Sequence, residues 1–183
     1  NLTGITVGLA GCGNIARYLI RFLKPFRCRV IAFDPFLDAA TIAARGAEKV
    51  SFNELLEQSD VISVHCHLTD ETRHMFDAAA FRRMKKNSFI VNVSRGALID
   101  TYALADAIRI GDLQGAGLDT HESEPLALDH PLRTIDSVIL TPHSAHYSSK
   151  AFETLRMHMV DQAIAVLEGT MPQFLFNREQ LGL

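Results

Sequence analysis

Short apolar runs alternate with amphipathic segments along the whole of this 183-residue chain, and that alternation narrows the possible folds more than any motif does. ITVGLA (5–10), RVIAFD (29–34), DVISVHC (60–66), SFIVNVS (88–94), GAGLD (115–119) and SVILTP (137–142) are too short for helices. They are rich in β-branched residues and bounded by turn residues, so they read as buried strands. Between them the spacing predicts helices at 14–26, 38–45, from Ser51 onward, at about 77–85, over TYALADAIRI, and at 149–168. Ser51 and Glu54 have capping-box spacing, Asp100 stands where an N-cap is expected, and Gly46, Gly111 and Gly169 stand just past helix ends. Strands that alternate with helices pair in parallel and are covered on both faces. The expectation is one doubly wound α/β domain, 1–183, a three-layer αβα sandwich of the Rossmann type.

Composition removes several classes of function. Net charge is −3, with 48% hydrophobic and 21% charged residues, which gives no electrostatic reason to expect nucleic acid or an anionic membrane as partner. The basic cluster Arg82, Arg83, Lys85 and Lys86 closes a predicted helix, where it complements the helix dipole. Cys12, Cys28 and Cys66 are odd in number and lack C-x-x-C spacing, so reduced thiols in a cytoplasmic protein fit better than disulfides. No apolar run reaches membrane-spanning length.

Sheets of this kind bind ligands beyond the carboxyl ends of their strands, and the unusual residues fall there. The first strand runs into Gly11-Cys12-Gly13-Asn14-Ile15-Ala16. Gly11 suits a tight turn, Gly13 lets backbone approach a pyrophosphate, and Ala16 permits close helix–sheet packing. The second strand ends in Asp34, whose carboxylate can accept from ribose hydroxyls and would repel an added phosphate, which favours NAD over NADP. A glycine turn plus a capping Asp is the plainer alternative. Later strand ends deliver Arg95, Asp119 with Glu122 and Glu124, and His143. Each alone could be a surface ion pair, an acidic loop or a surface histidine. Together they supply a guanidinium fork for a carboxylate or carbonyl and a carboxylate–imidazole pair for proton transfer.

The stretches NLTGITVGLAGCGNIAR, VIAFDPF, HCHLTDETRHMF, FRRMKKNSFIVNVSRGALID, GAGLDTHESEP and TPHSA resemble the D-isomer-specific 2-hydroxyacid dehydrogenases over essentially the whole chain. HCHLTDE and TPHSAHYS are similar to a branch that includes C-terminal-binding-protein co-repressors. The resemblance implies that Arg95 binds the substrate's carboxylate and carbonyl, that His143 is the acid/base, and that Glu124 is its carboxylate partner. It implies that Asn14 and Ile15 lie on the pyrophosphate of NAD, that Asp34 lies on the ribose, and that Asp119 lies at the nicotinamide end. His65, Cys66, His67 and Thr69, with Val93, Ser94, Ser144, Ala145 and His146, would line the cofactor. His67 departs from the commoner Pro or Gly. His65, Cys66 and His67 could suggest a metal, but no carboxylate nearby in sequence completes a ligand set, so none is expected.

These readings imply an oxidoreductase acting on a small 2-hydroxy or 2-keto acid, with an NAD(H)-sensing regulator as the alternative. The family carries a substrate domain before its cofactor domain, and the chain opens on the first cofactor strand. The expectation is therefore a fragment, inactive alone, in which 149–183, including MPQFLFN (171–177), pack on that absent domain; the resemblance also implies a homodimer.

Overall fold

The computed structural model describes residues 2–173, 175 and 177–182. They divide into two compact units, 1–143 and 144–183. The first contains a seven-stranded sheet, every pairing parallel, in the order β3-β2-β1-β4-β5-β6-β7. The strands are β1 (Thr6–Ala10), β2 (Arg29–Phe33), β3 (Glu48–Lys49), β4 (Val61–Val64), β5 (Phe89–Asn92), β6 (Gly115–Leu118) and β7 (Val138–Leu140). The order reverses between β1 and β4, which opens a crevice at their carboxyl ends.

Side-chain alternation along the strands builds a core on each face. Val7 and Leu9 of β1 and Ala32 of β2 pack with Ala16, Ile20 and Leu23 of α1 (Asn14–Leu23) and Ile42 of α2 (Ala39–Arg45). On the opposite face Ala10, Ile31, Ile62, Ile90 and Leu118 meet α3 (Phe52–Gln58), α4 (Ala78–Arg83) and α5 (Thr101–Arg109). The sheet is thus doubly wound, as the alternation of elements requires.

Capping explains why these short helices begin where they do. Ser51 and Glu54 form the full reciprocal box, Asp38 accepts from Thr41 N–H at 2.6 Å, and Asp100 accepts from the Tyr102 and Ala103 amides. Gly46 ends α2 in the left-handed region, at φ 94°. The sequence reading anticipates six strands and misses β3, which is two charged residues long and has no apolar run to reveal it. It extends the sheet by pairing with Ile31 and Ala32, and its Glu48 binds Arg29 of β2 at 2.7 Å.

The second unit carries α6 (Ser149–Leu167), capped by Ser148, whose hydroxyl accepts from Ala151 N–H at 3.0 Å. Phe152 packs on the Tyr147 ring, with centroids 4.9 Å apart. No residue of α6 is buried, and Leu155, Met159 and Val166 are all exposed. Phe174 and Phe176 of the MPQFLFN segment lie outside the described residues.

Close packing of α3 on β1 rests on Gly8, where a Cβ would stand 2.1 Å from Ser59 Oγ and 2.8 Å from Leu55 Cδ1. Ser59 Oγ donates to Leu55 O at 2.5 Å, so the added methyl also disturbs that bond. Gly8→Ala should destabilise the fold by roughly 1–3 kcal/mol in urea unfolding, as overpacking does. Adding Ser59→Gly should recover part of the loss, and an unchanged midpoint in the single variant would remove Gly8 from this role.

Candidate active site

The loop after β1 is held by its neighbours. Gly11 N–H donates to Phe33 O at 2.8 Å, and a Cβ at Gly11 (φ 91°) would lie 2.8 Å from Cys66 N. Glycine is therefore required here by the β4 loop as well as by the turn. At Gly13 a Cβ would meet nothing within 4 Å, and no side chain caps the first turn of α1 that follows. The backbone is bare where the helix dipole is positive, which fits a phosphate group. Asn14 and Ile15 stand exposed on that first turn, while Ala16 is buried beneath it.

Asp34, 9% exposed, accepts from Cys12 N–H at 2.9 Å and from Phe36 N–H at 3.0 Å. Its carboxylate thus fixes the glycine loop directly, a role the sequence reading does not foresee. Arg45 closes the same loop from α2 by donating to Cys12 O. A cavity of about 410 Å3 opens here, lined by Gly11, Gly13, Asp34, His65, His67 and Thr69 among others. Shape, bare amides and a carboxylate at the second strand end together fit a dinucleotide.

The β4 loop forms one wall. His65 Nε2 meets Ser63 Oγ at 2.9 Å, and its Nδ1 is buried with no hydrogen-bond partner. Burial holds the ring down to about 4 and pushes the Cys66 thiol up to about 11, so both are neutral at physiological pH. Ser94 Oγ donates to Cys66 O at 2.6 Å, joining this loop to the end of β5, where Val93 is partly exposed. Among the described residues no three His, Cys, Asp or Glu side chains are grouped as a metal would require.

Arg95, Glu124 and His143 line a second cavity of about 400 Å3, together with Arg73, His121 and Glu122. Glu124 Oε2 lies 2.9 Å from His143 Nδ1, and Glu124 Oε1 accepts from His121 N–H at 3.1 Å. The hydrogen bond to His143, and after it the His121 amide, holds the Glu124 carboxyl below its usual range, so it is ionised at neutral pH. His143 has φ 53°, a left-handed conformation that few non-glycine residues adopt, and its N–H donates to Asp119 O at 2.7 Å. Asp119 is buried and accepts from Thr141 Oγ1 at 2.5 Å.

Gly96 brings Arg95 to this group. A Cβ there would fall 2.0 Å from the carbonyl carbon of His121 and 2.4 Å from Glu122 N, so the β5 and β6 loops touch backbone to backbone. Buried Asn92 shapes the turn by donating to Arg95 O at 2.8 Å and accepting from Ser94 N–H at 2.9 Å. His121 ties the ends of β6 and β7 together, its Nε2 lying 3.1 Å from Thr141 O. The sequence reading passes over Asn92, His121 and Arg73. Ser144 and Ala145 open the second unit and remain expectations of the resemblance.

The sequence matches the model of the D-isomer specific 2-hydroxyacid dehydrogenase, NAD binding domain, over residues 1–145. It is 37% identical over 182 residues to a glyoxylate reductase of Thermofilum pendens, covering 98% of this chain and 53% of the relative. Among solved structures, the holo form of Rhodotorula graminis D-mandelate dehydrogenase superposes with TM-score 0.87 at 32% identity, covering 94% of this chain and 51% of that one. D-lactate dehydrogenase from Escherichia coli gives TM-score 0.84 at 35% identity, covering 94% and 54%. The chain spans about half the length of the curated relatives it matches.

The half-buried His65 has a measurable signature. Its folded pKa, about 4, is below the unfolded value of 6.5, so the fold favours the neutral ring. That contribution is fully present above pH 6.5 and is lost as pH falls through about 4. Stability should therefore decline over that window by up to about 3 kcal/mol from this group. His65→Asn should flatten the slope in urea titrations across the window; an unaltered slope would show that His65 is not the group responsible.

Proposed function

The chain belongs to the D-isomer specific 2-hydroxyacid dehydrogenases as their NAD-binding domain, and from that premise we propose that it serves an enzyme interconverting a small D-2-hydroxy acid and its 2-keto acid. The observation that carries this reading is the Glu124–His143 pair at 2.9 Å on the same cavity as Arg95. Bound NAD supplies the hydride acceptor or donor. Everything else falls to the chain's own residues.

Arg95 is exposed at the cavity and offers a planar fork for the substrate's carboxylate and carbonyl oxygen. His143 turns Nδ1 to Glu124, so proton exchange with the substrate oxygen uses Nε2. Glu124 stabilises the imidazolium that forms when the alcohol is oxidised, and fixes the ring's orientation in both directions. Asp119 holds the backbone of His143, and the resemblance assigns it to the nicotinamide end. Gly11, Gly13, Asn14 and Ile15 would hold the pyrophosphate and Asp34 the ribose, with His65, Cys66, His67, Thr69, Val93, Ser94, Ser144 and Ala145 around the rest. A regulator that only senses NAD(H) has no need of the Glu124–His143 pair.

The exposed apolar residues of α6, Leu155, Met159 and Val166, support its packing against a substrate domain in the full-length protein. Homodimerisation and a cytoplasmic location complete the proposal. Among the described residues no helix is long and apolar enough to cross a membrane.

In the full-length protein, His143→Ala should lower kcat for reduction of the best 2-keto acid by roughly 10²–10⁴-fold while NADH binding stays within a few-fold. A panel of 2-keto acids assayed with NADH checks this. Intact cofactor binding with no turnover of any acid would count against the dehydrogenase reading. Residues 1–183 alone should bind NADH, seen by fluorescence titration, yet turn nothing over. Turnover by that piece would remove the need for a second domain.

A further inference from the structure

Two guanidinium groups face the cavity that holds the Glu124–His143 pair. Arg73 lies in the loop after β4 and Arg95 in the loop after β5, and both are exposed. The backbone holds their two loops together. His74 N–H donates to Ala97 O at 2.8 Å, Phe76 N–H to Leu98 O at 3.1 Å, and Phe76 bridges Ile99 in parallel. These bonds hold the segment that follows Arg73 against the segment that follows Arg95.

The carboxylates that could neutralise them are committed elsewhere. Glu122 pairs with His74 Nε2 at 2.8 Å, and Glu124 is held by His143 and the His121 amide. Arg95 Nη1 donates to its neighbour's carbonyl, Ser94 O, at 2.8 Å. Among the described residues neither Arg73 nor Arg95 forms an ion pair. Two guanidinium forks that form no ion pair, on one concave surface, favour a ligand that brings two negative groups.

We propose that Arg73 is a specificity-determining residue, binding a second carboxylate on the substrate, so that the site prefers 2-keto dicarboxylates to 2-keto monocarboxylates. The proposal rests on the 2-keto acid reading of this cavity. Arg95 takes the carboxylate next to the carbonyl, and Arg73, on the same cavity, takes the distal one. A phosphate fits less well, because its greater charge would sit beside Glu122 and Glu124.

The test compares kcat/KM with NADH for pyruvate, oxaloacetate and 2-oxoglutarate in the full-length protein and its Arg73→Ala and Arg73→Lys variants. The better dicarboxylate should exceed pyruvate at least tenfold in the unaltered protein. Arg73→Ala should reduce that ratio at least tenfold, about 1.4 kcal/mol, and Arg73→Lys should keep part of it. The preference should shrink with added salt. Turnover with the same ratio in Arg73→Ala, or no preference in the unaltered protein, overturns the proposal and leaves the dehydrogenase reading standing. If no acid is turned over, that reading fails, and calorimetry with NAD-saturated protein decides on Arg73. A tenfold weaker Kd for the dicarboxylate in Arg73→Ala supports the second carboxylate site; an equal Kd overturns it.

Discussion

Backbone presses on backbone where the loops after β5 and β6 meet, at Gly96 against His121 and Glu122, with no room for a single carbon atom between them. A parallel sheet brings all its strand ends to one edge, but neighbouring strands alone do not bring their loops into contact. At this crossing Arg95 and Glu124 come to line the same cavity. The rest follows by short steps. The His121 amide holds one oxygen of Glu124, His143 takes the other, and the end of β7 is fastened to β6 through Thr141 and Asp119. The left-handed backbone of His143 is sustained by that last anchor, since its N–H ends on Asp119 O.

Electrostatics sort the polar residues of the crevice into two kinds. Deep in the wall, His65 and Cys66 are kept neutral by burial, so neither offers a base or a thiolate at physiological pH. At the rim, Glu124 is kept ionised by the donors around it, and the two arginines are exposed. In the proposed reaction, proton transfer falls to the His143 imidazole beside that carboxylate. The depths of the crevice are left for packing a ligand.

Six strands and the residues at their ends are legible in the sequence because short apolar runs and the polar residues that end them stand out. β3 is hidden because two charged residues have no period, and only the free edge of β2 recruits them. Asn92 reads as an interruption of an apolar strand, and its purpose becomes visible only when the turn it braces is seen. His121 reads as part of an acidic loop, yet its amide and ring organise the pair beside it. Gly11 is foreseen for its turn, but the approach of Cys66 is a tertiary contact that no local pattern encodes.

In the proposed binding mode, Asp34 ties ribose recognition to the order of the glycine loop. Its oxygens already receive the Cys12 and Phe36 amides, so the glycine loop is shaped before any ligand arrives. Replacing Asp34 with a smaller neutral residue to admit a phosphorylated ribose would also unfasten that loop. On that reading, cofactor exchange in this scaffold is a problem of grafting the whole β1 and β2 loop pair, since point substitution alone would lose loop order along with discrimination.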